Sequence, residues 1–424
     1  MAFLGRFASA AAIATALLAA LAAVPYDKEL SYGFVRDPSP TPGSAPIVAE
    51  DGLPYTRRTL FFTSQGTACE AWLYTPTAAT AAATAAGGGR RWPPFPVVIM
   101  AHGLGGQKDL GLHRFADAFA AAGMAAFVFD YRTFGGSDGE PRHWVSPRRH
   151  LQDYAAALAF VKSGALGPQY DVNKVALWGT SYAGGHVLVT AAEAEPGSVA
   201  AVVSMVPHLD GVEASRNSVR RRSVLPSLRL LIAGMHDALR AAAARALRSA
   251  GLLYNDAPAA DGFGANLNAT AGGAAAATAD GAAVNGGPAS QRASGPLAAL
   301  APRLSHMLAP YVAPAYVKTI GTAGQLTVMQ GGWQPRILAR FTLETSSYSP
   351  IASVPSIAAP VLFVAAAEDV LCPVGLVRRA AGLVPGGNAS VVELSCTHFD
   401  AYRGEHFQAA AAAMVRFLEQ RLLR

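Results

Sequence analysis

Short, largely apolar runs recur along the chain, separated by segments whose apolar positions follow helical spacing. Residues 97–100, 124–130, 174–178, 200–206, 361–366 and 390–394 are such runs, the pattern of strands buried on both faces. Between them, 109–123 reads as a helix ended by glycine, and 146–163 as a helix opening on serine and proline. A last helix is predicted over 406–423. Upstream, 55–63 and 68–74 have strand character, with Gln65-Gly66 between them as a turn. Buried strands alternating with helices predict an α/β fold, with a mostly parallel sheet flanked by helices.

The alternation stops at Pro207 and resumes near 351. Within this insertion, residues 225–250 look helical with arginines on one side, 251–295 are Ala/Gly/Asn-rich and expected to be disordered, and 297–330 have mostly helical character. The chain therefore divides into a core over 55–206 and 351–424 and an inserted cap over 207–350. An insertion there stands over the carboxyl ends of the strands, where open α/β sheets bind ligands. Residues 75–96 are a low-complexity loop. Ahead of the core, 25–54 read as a Pro/Ser/Gly-rich linker. Residues 1–24 carry Arg6 and then an apolar, mostly alanine run, with the first acidic residue at Asp27. That segment is expected to be a secretory signal or membrane anchor; a transit peptide for a plastid or mitochondrion is the competing reading.

Charge and cysteine content narrow the function classes. The net charge is +6 and the pI near 9.3, but only Arg216, Arg220, Arg221 and Arg222 cluster, and no nucleic-acid-binding motif accompanies them, so they read as a solvated face. Three cysteines, Cys69, Cys372 and Cys396, are too few for a disulfide framework; one Cys372–Cys396 bridge is open to an oxidising compartment but is not the expectation. Neither H-E-x-x-H nor paired-cysteine spacing points to a metal, and no cofactor is expected. Gly103-Leu104-Gly105-Gly106 lacks the dinucleotide spacing. Gly135-Gly136-Ser137-Asp138-Gly139 lacks the phosphate-loop pattern and reads as a turn.

The stretch that carries chemistry is Lys174-Val175-Ala176-Leu177-Trp178-Gly179-Thr180-Ser181-Tyr182-Ala183-Gly184-Gly185-His186. An apolar strand runs into an apolar helix, with Ser181 at the junction. A serine on so sharp a turn needs small neighbours, and Gly179 and Ala183 stand two before and two after it. A hydroxyl is a weak nucleophile at neutral pH and needs a base, usually a histidine, which in turn needs an acid to fix its tautomer. Asp369 and its neighbour Glu368 follow the apolar strand 361–366. His398 follows the strand 390–394. The other histidines weighed, His186, His208, His236 and His406, stand outside that order.

Together, His102-Gly103-Leu104-Gly105-Gly106, Asp130-Tyr131-Arg132, Phe134-Gly135-Gly136-Ser137-Asp138-Gly139, the serine turn, Glu368-Asp369 through Pro373, and Thr397-His398-Phe399-Asp400 resemble the α/β-hydrolase superfamily in its chain order. The nearer likeness is to serine-aminopeptidase-like and dienelactone-hydrolase-like hydrolases. Val206-Pro207-His208-Leu209-Asp210-Gly211 is similar to a fungal subgroup that includes polyketide transferases. The resemblance implies an eight-stranded, mostly parallel sheet with a helical cap. It implies a triad of Ser181, Asp369 and His398, and oxyanion donors from the backbone N–H groups of Tyr182 and Leu104. The expected activity is a serine hydrolase acting on an ester, thioester or amide. An acyltransferase with the same triad and a non-catalytic binding protein are the alternatives. The expected partner is a small acyl substrate, with membrane association only through the N-terminal segment. Tyr311, Tyr316, Met329 and Trp333 are candidates for the cap's side of an acyl or aryl pocket.

Overall fold

A computed structural model describes residues 55–78, 80, 93–109, 111–222, 224–249, 316–318 and 336–423. The N-terminal segment 1–24, the linker 25–54, the stretch 251–295 and the cap residues Tyr311, Met329 and Trp333 lie outside the described residues. By contacts, the described residues 236–249 fall in one compact unit and all the others in a second.

The second unit is built on an eight-stranded sheet of order β1-β2-β4-β3-β5-β6-β9-β10. Strands β1 (Tyr55–Ser64) and β2 (Thr67–Pro76) pair antiparallel. They meet at Gln65 and Gly66, both left-handed at φ 48° and 75°, the hairpin geometry that the Gln-Gly pair predicts. β2 also runs antiparallel to β4 (Ala125–Phe129), and every pairing beyond that is parallel. β3 (Phe95–Ala101), β4, β6 (Ala201–Met205) and β9 (Val361–Ala366) are buried at every position, which is why their sequences show no alternation. The sheet is completed by β5 (Tyr170–Thr180) and β10 (Ala389–Leu394).

Helix α1 (Leu112–Ala121) buries Leu112, Phe115 and Phe119, and α2 (Pro147–Lys162) buries Tyr154, Leu158 and Val161. Ser146 precedes α2 as expected, but its hydroxyl makes no capping bond; it donates to the Glu344 carboxylate instead. Helix α3 (Tyr182–Glu193) is buried from Tyr182 through Ala191.

In the insertion, α4 (Gly211–Arg222) is a helix the apolar pattern did not predict, with Arg216 and Arg220 exposed as a solvated face. Helix α5 spans Val224–Ser249, within a residue of the expected bounds. Tyr316–Lys318 was expected to be helical and is instead strand β7, paired antiparallel with β8 (Arg336–Leu338). A short α6 (Phe341–Thr345) follows. After β9 come α7 (Val374–Leu383), β10 and α8 (Gly404–Leu418). Cys69, Cys372 and Cys396 are all buried free thiols, so the bridge considered between the last two does not form.

Two features of this topology aim the chemistry. Chain order reverses at β3, which has β4 on one side and β5 on the other, so the loops leaving β3 and β5 meet at the carboxyl edge. Strands β9 and β10 stay in register as far as Ala366 and Leu394, so the loops beyond them emerge side by side.

Candidate active site

Ser181 joins β5 to α3 with φ 55° and ψ −116°, a left-handed backbone that serine rarely adopts. Its N–H donates to the Met205 carbonyl and its own carbonyl accepts from the His208 N–H, each at 2.8 Å, so the strained turn is tied down on both sides. A Cβ at Gly179 would lie 2.1 Å from the Ala183 carbonyl oxygen, which accounts for the glycine there. Ala183 is fully buried, and its methyl is accommodated.

His398 brings the expected residues together. Its Nδ1 lies 2.6 Å from Asp369 Oδ2, and its Nε2 lies 3.1 Å from Ser181 Oγ. Asp369 Oδ1 accepts the N–H groups of Leu371 and Cys372 at 2.7 and 2.8 Å. A carboxylate so engaged is an acceptor only, so His398 donates from Nδ1 and leaves Nε2 to accept the serine proton. Glu368 is exposed and takes no part. Asp369 and His398 are buried, while Ser181 is half-buried and opens to solvent.

Tyr182 is the first residue of α3, where backbone N–H groups have no acceptor within the helix. The loop after β3 lies directly against the serine: a Cβ on Gly103 would come within 2.9 Å of Ser181 Cβ. Leu104 follows it, half-buried. This loop is anchored by a buried charge cluster. Lys108 donates its backbone N–H to Asp130 Oδ1 at 2.6 Å, and its ammonium lies 2.7 Å from Asp130 Oδ2 and 2.6 Å from Glu70 Oε1. Burial alone would push the ammonium's pKa down, but Asp130 and Glu70 hold it above the ordinary lysine value. Burial would likewise raise Asp130, yet Lys108 keeps it below the usual carboxylate range. The Gly135-Gly136 turn wraps around Asp130, with the Gly136 N–H donating to Oδ2 at 3.0 Å.

Behind the serine turn lies a buried aromatic and imidazole cluster. His186 Nδ1 is 2.6 Å from Tyr348 Oη, His186 Nε2 is 3.2 Å from His150 Nδ1, and His150 stacks on Tyr131 at 3.9 Å. Burial holds both imidazoles well below their ordinary pKa, and it pushes His208 down to about 4. Tyr182 packs its ring on His186 and His208, and its hydroxyl pairs with Thr345 Oγ1 at 2.7 Å. Tyr316, expected at the pocket, donates its hydroxyl to the Arg142 carbonyl at 3.2 Å. His406 is half-buried on α8, and His236 lies on α5.

Sequence reasoning weighed Cys372 only as a disulfide partner and gave it no place in the site. It lies buried within the hydrogen-bonded loop of Asp369, and its sulfur, an Asp369 carboxylate oxygen and a His398 ring nitrogen all lie within 4.8 Å of one another. Burial, and then the charge of Asp369, holds that thiol well above the ordinary cysteine pKa. Its only signal in the sequence is a position three residues after the acid.

Comparison with known proteins identifies the family. Residues 93–249 match the family model Hydrolase_4, serine aminopeptidase S33. The quorum-quenching protein AidA of Acinetobacter baumannii is 32% identical over 361 residues, which cover 85% of this chain and 93% of that protein. The polyketide transferase grgF of Penicillium sp is 32% identical over 130 residues, 31% of this chain and 42% of that protein. Among solved structures, the α/β hydrolase GrgF from Penicillium sp. sh18 superposes with a TM-score of 0.54 at 19% identity, covering 86% of this chain and 99% of that one. The chain therefore belongs to the α/β-hydrolase superfamily, among its serine-aminopeptidase-like members, and is a hydrolase of that family.

Proposed function

We propose that the protein is a serine hydrolase that cleaves an ester, thioester or amide of a small acyl substrate through an acyl-enzyme on Ser181. The observation that carries this reading is the unbroken chain from Ser181 Oγ through His398 to Asp369 at 3.1 and 2.6 Å. In the first half-reaction Ser181 Oγ attacks the carbonyl carbon while His398 Nε2 takes its proton. The imidazolium formed is stabilised by Asp369, whose two remaining backbone bonds hold the carboxylate in place. The carbonyl oxygen becomes an oxyanion, received by the N–H groups of Tyr182 and Leu104; a donor of this kind lowers the barrier by about 3 kcal/mol. As the intermediate collapses, Nε2 returns its proton to the leaving alcohol, thiol or amine. Water then repeats the sequence and frees the acid.

The test is Ser181→Ala against p-nitrophenyl esters and a fluorophosphonate probe. Turnover and labelling are expected to vanish together; undiminished labelling of the variant would assign the nucleophile elsewhere. A second reading rests on the polyketide-transferase relative: the acyl group passes to an alcohol or amine rather than to water. Product analysis with acceptors present separates the two, since transfer yields a new ester or amide where hydrolysis yields the free acid.

A further inference from the structure

We propose that Cys372 and His398 form a binding site for a thiophilic divalent cation, Zn²⁺ or Cd²⁺, which shuts the enzyme off. Three buried donor groups converge there. One ligand atom from each of Asp369, Cys372 and His398 lies within 4.8 Å of the other two. Sulfur, imidazole nitrogen and carboxylate oxygen are the donors a zinc ion takes, at about 2.0–2.3 Å each, which sets tetrahedral ligands about 3.6 Å apart. Closing the Cys372 sulfur and His398 Nε2 on an ion asks for side-chain adjustment, not movement of strands. Ser181 Oγ, 3.1 Å from Nε2, marks where the ion would sit.

The electrostatics favour the ion over the empty thiolate. A lone thiolate would be a second buried anion beside Asp369. A dication reverses the balance: the thiolate ligates it and the Asp369 carboxylate, one ring away behind His398, balances its second charge, so no net charge is buried. Binding converts the S–H bond to an S–metal bond and releases the proton to solvent, with no oxidation. Asp369, donor-facing at His398 Nδ1, sits as the carboxylates behind zinc-binding histidines do, fixing the tautomer that presents Nε2. Half-buried Ser181 gives the ion its route from solvent.

The loss of activity rests on the proposed role of Ser181 and His398; the binding itself does not. The experiment therefore has two arms on the full chain. Cd²⁺ titration followed by the thiolate–metal ultraviolet charge-transfer band should show one saturable site, absent in Cys372→Ala and Cys372→Ser. In parallel, Zn²⁺ should block fluorophosphonate labelling reversibly, with EDTA restoring it. Measured against each variant's own metal-free rate, both substitutions should need at least tenfold more Zn²⁺ for the same block. The serine variant retains the side-chain volume if the alanine variant fails to fold. An unchanged Cd²⁺ band in folded variants, or equal Zn²⁺ sensitivity, overturns the site. A band that depends on Cys372 in a protein that no probe labels would uphold the site and refute the serine-hydrolase reading instead.

Discussion

Ser181, Asp369 and His398 were legible because each follows a predicted strand and stands in a recognisable order, whereas the choice between Glu368 and Asp369 needed the direction in which the loop turns. That direction is set by backbone bonds to Asp369 Oδ1, which leave Glu368 in solvent. Replacing Asp369 by Asn removes the charge behind His398 and the preference for its Nδ1–H tautomer, so kcat should fall roughly 10⁴-fold with little change in KM. Steady-state kinetics on an ester substrate would check this, and a loss below tenfold would make Asp369 dispensable. Gly103 is the second residue whose identity is dictated locally. An alanine methyl there meets Ser181 Cβ at 2.9 Å and must push the β3 loop off the serine by a few tenths of an ångström. Gly103→Ala should lower kcat by tenfold to about a hundredfold, the scale of small misplacements in a reacting site. Its melting temperature should stay near wild type, because the strain falls on a loop and not on the sheet.

Among the elements, the doubly buried strands were readable from composition alone, and errors gathered where pairing or polarity overrides local pattern. Helix α4 escaped notice because its sequence is dominated by polar and charged residues, and Tyr316–Lys318 became a strand because β8 offers it a partner. The Lys108–Asp130–Glu70 cluster was invisible for a related reason: its members come from a loop, the end of β4 and β2, and only the fold makes them neighbours. That cluster locks together the loop bearing Gly103 and Leu104, the Gly135-Gly136 turn and two strands. Lys108 is the one cation facing two buried carboxylates, so Lys108→Met strands both and should cost about 3–5 kcal/mol of stability. Denaturant melts would show it as a lower midpoint with the slope preserved. Lys108→Met combined with Glu70→Gln and Asp130→Asn should recover part of the loss, because no net charge then stays buried. A triple variant no more stable than the single one would place the cost in the hydrogen bonds instead.

For the molecule as a whole, the buried histidines set a limit on the acid side. His150, His186 and His208 lie within the core at 1%, 0% and 9% exposure, and burial depresses the pKa of each. A depressed imidazole is neutral in the folded protein while the unfolded chain binds a proton below about pH 6.5, so the unfolded state carries more protons and stability falls as pH falls. Above that pH the three contribute no penalty. Below it each removes about 1.4 kcal/mol per pH unit until its own folded pKa is reached. For His208 the loss ends near pH 4. Thermal melts at fixed ionic strength should therefore be flat from pH 8 to 7 and drop steeply from about 6.5 to 4.5, where paired carboxylates such as Asp130 still contribute fully. His208→Gln should flatten that slope by the share of one proton while leaving the neutral-pH plateau lower by its lost packing. A wild-type melting temperature that stayed level down to pH 5 would show that these imidazoles already titrate in the folded state, and that the cluster behind the serine turn is open to water.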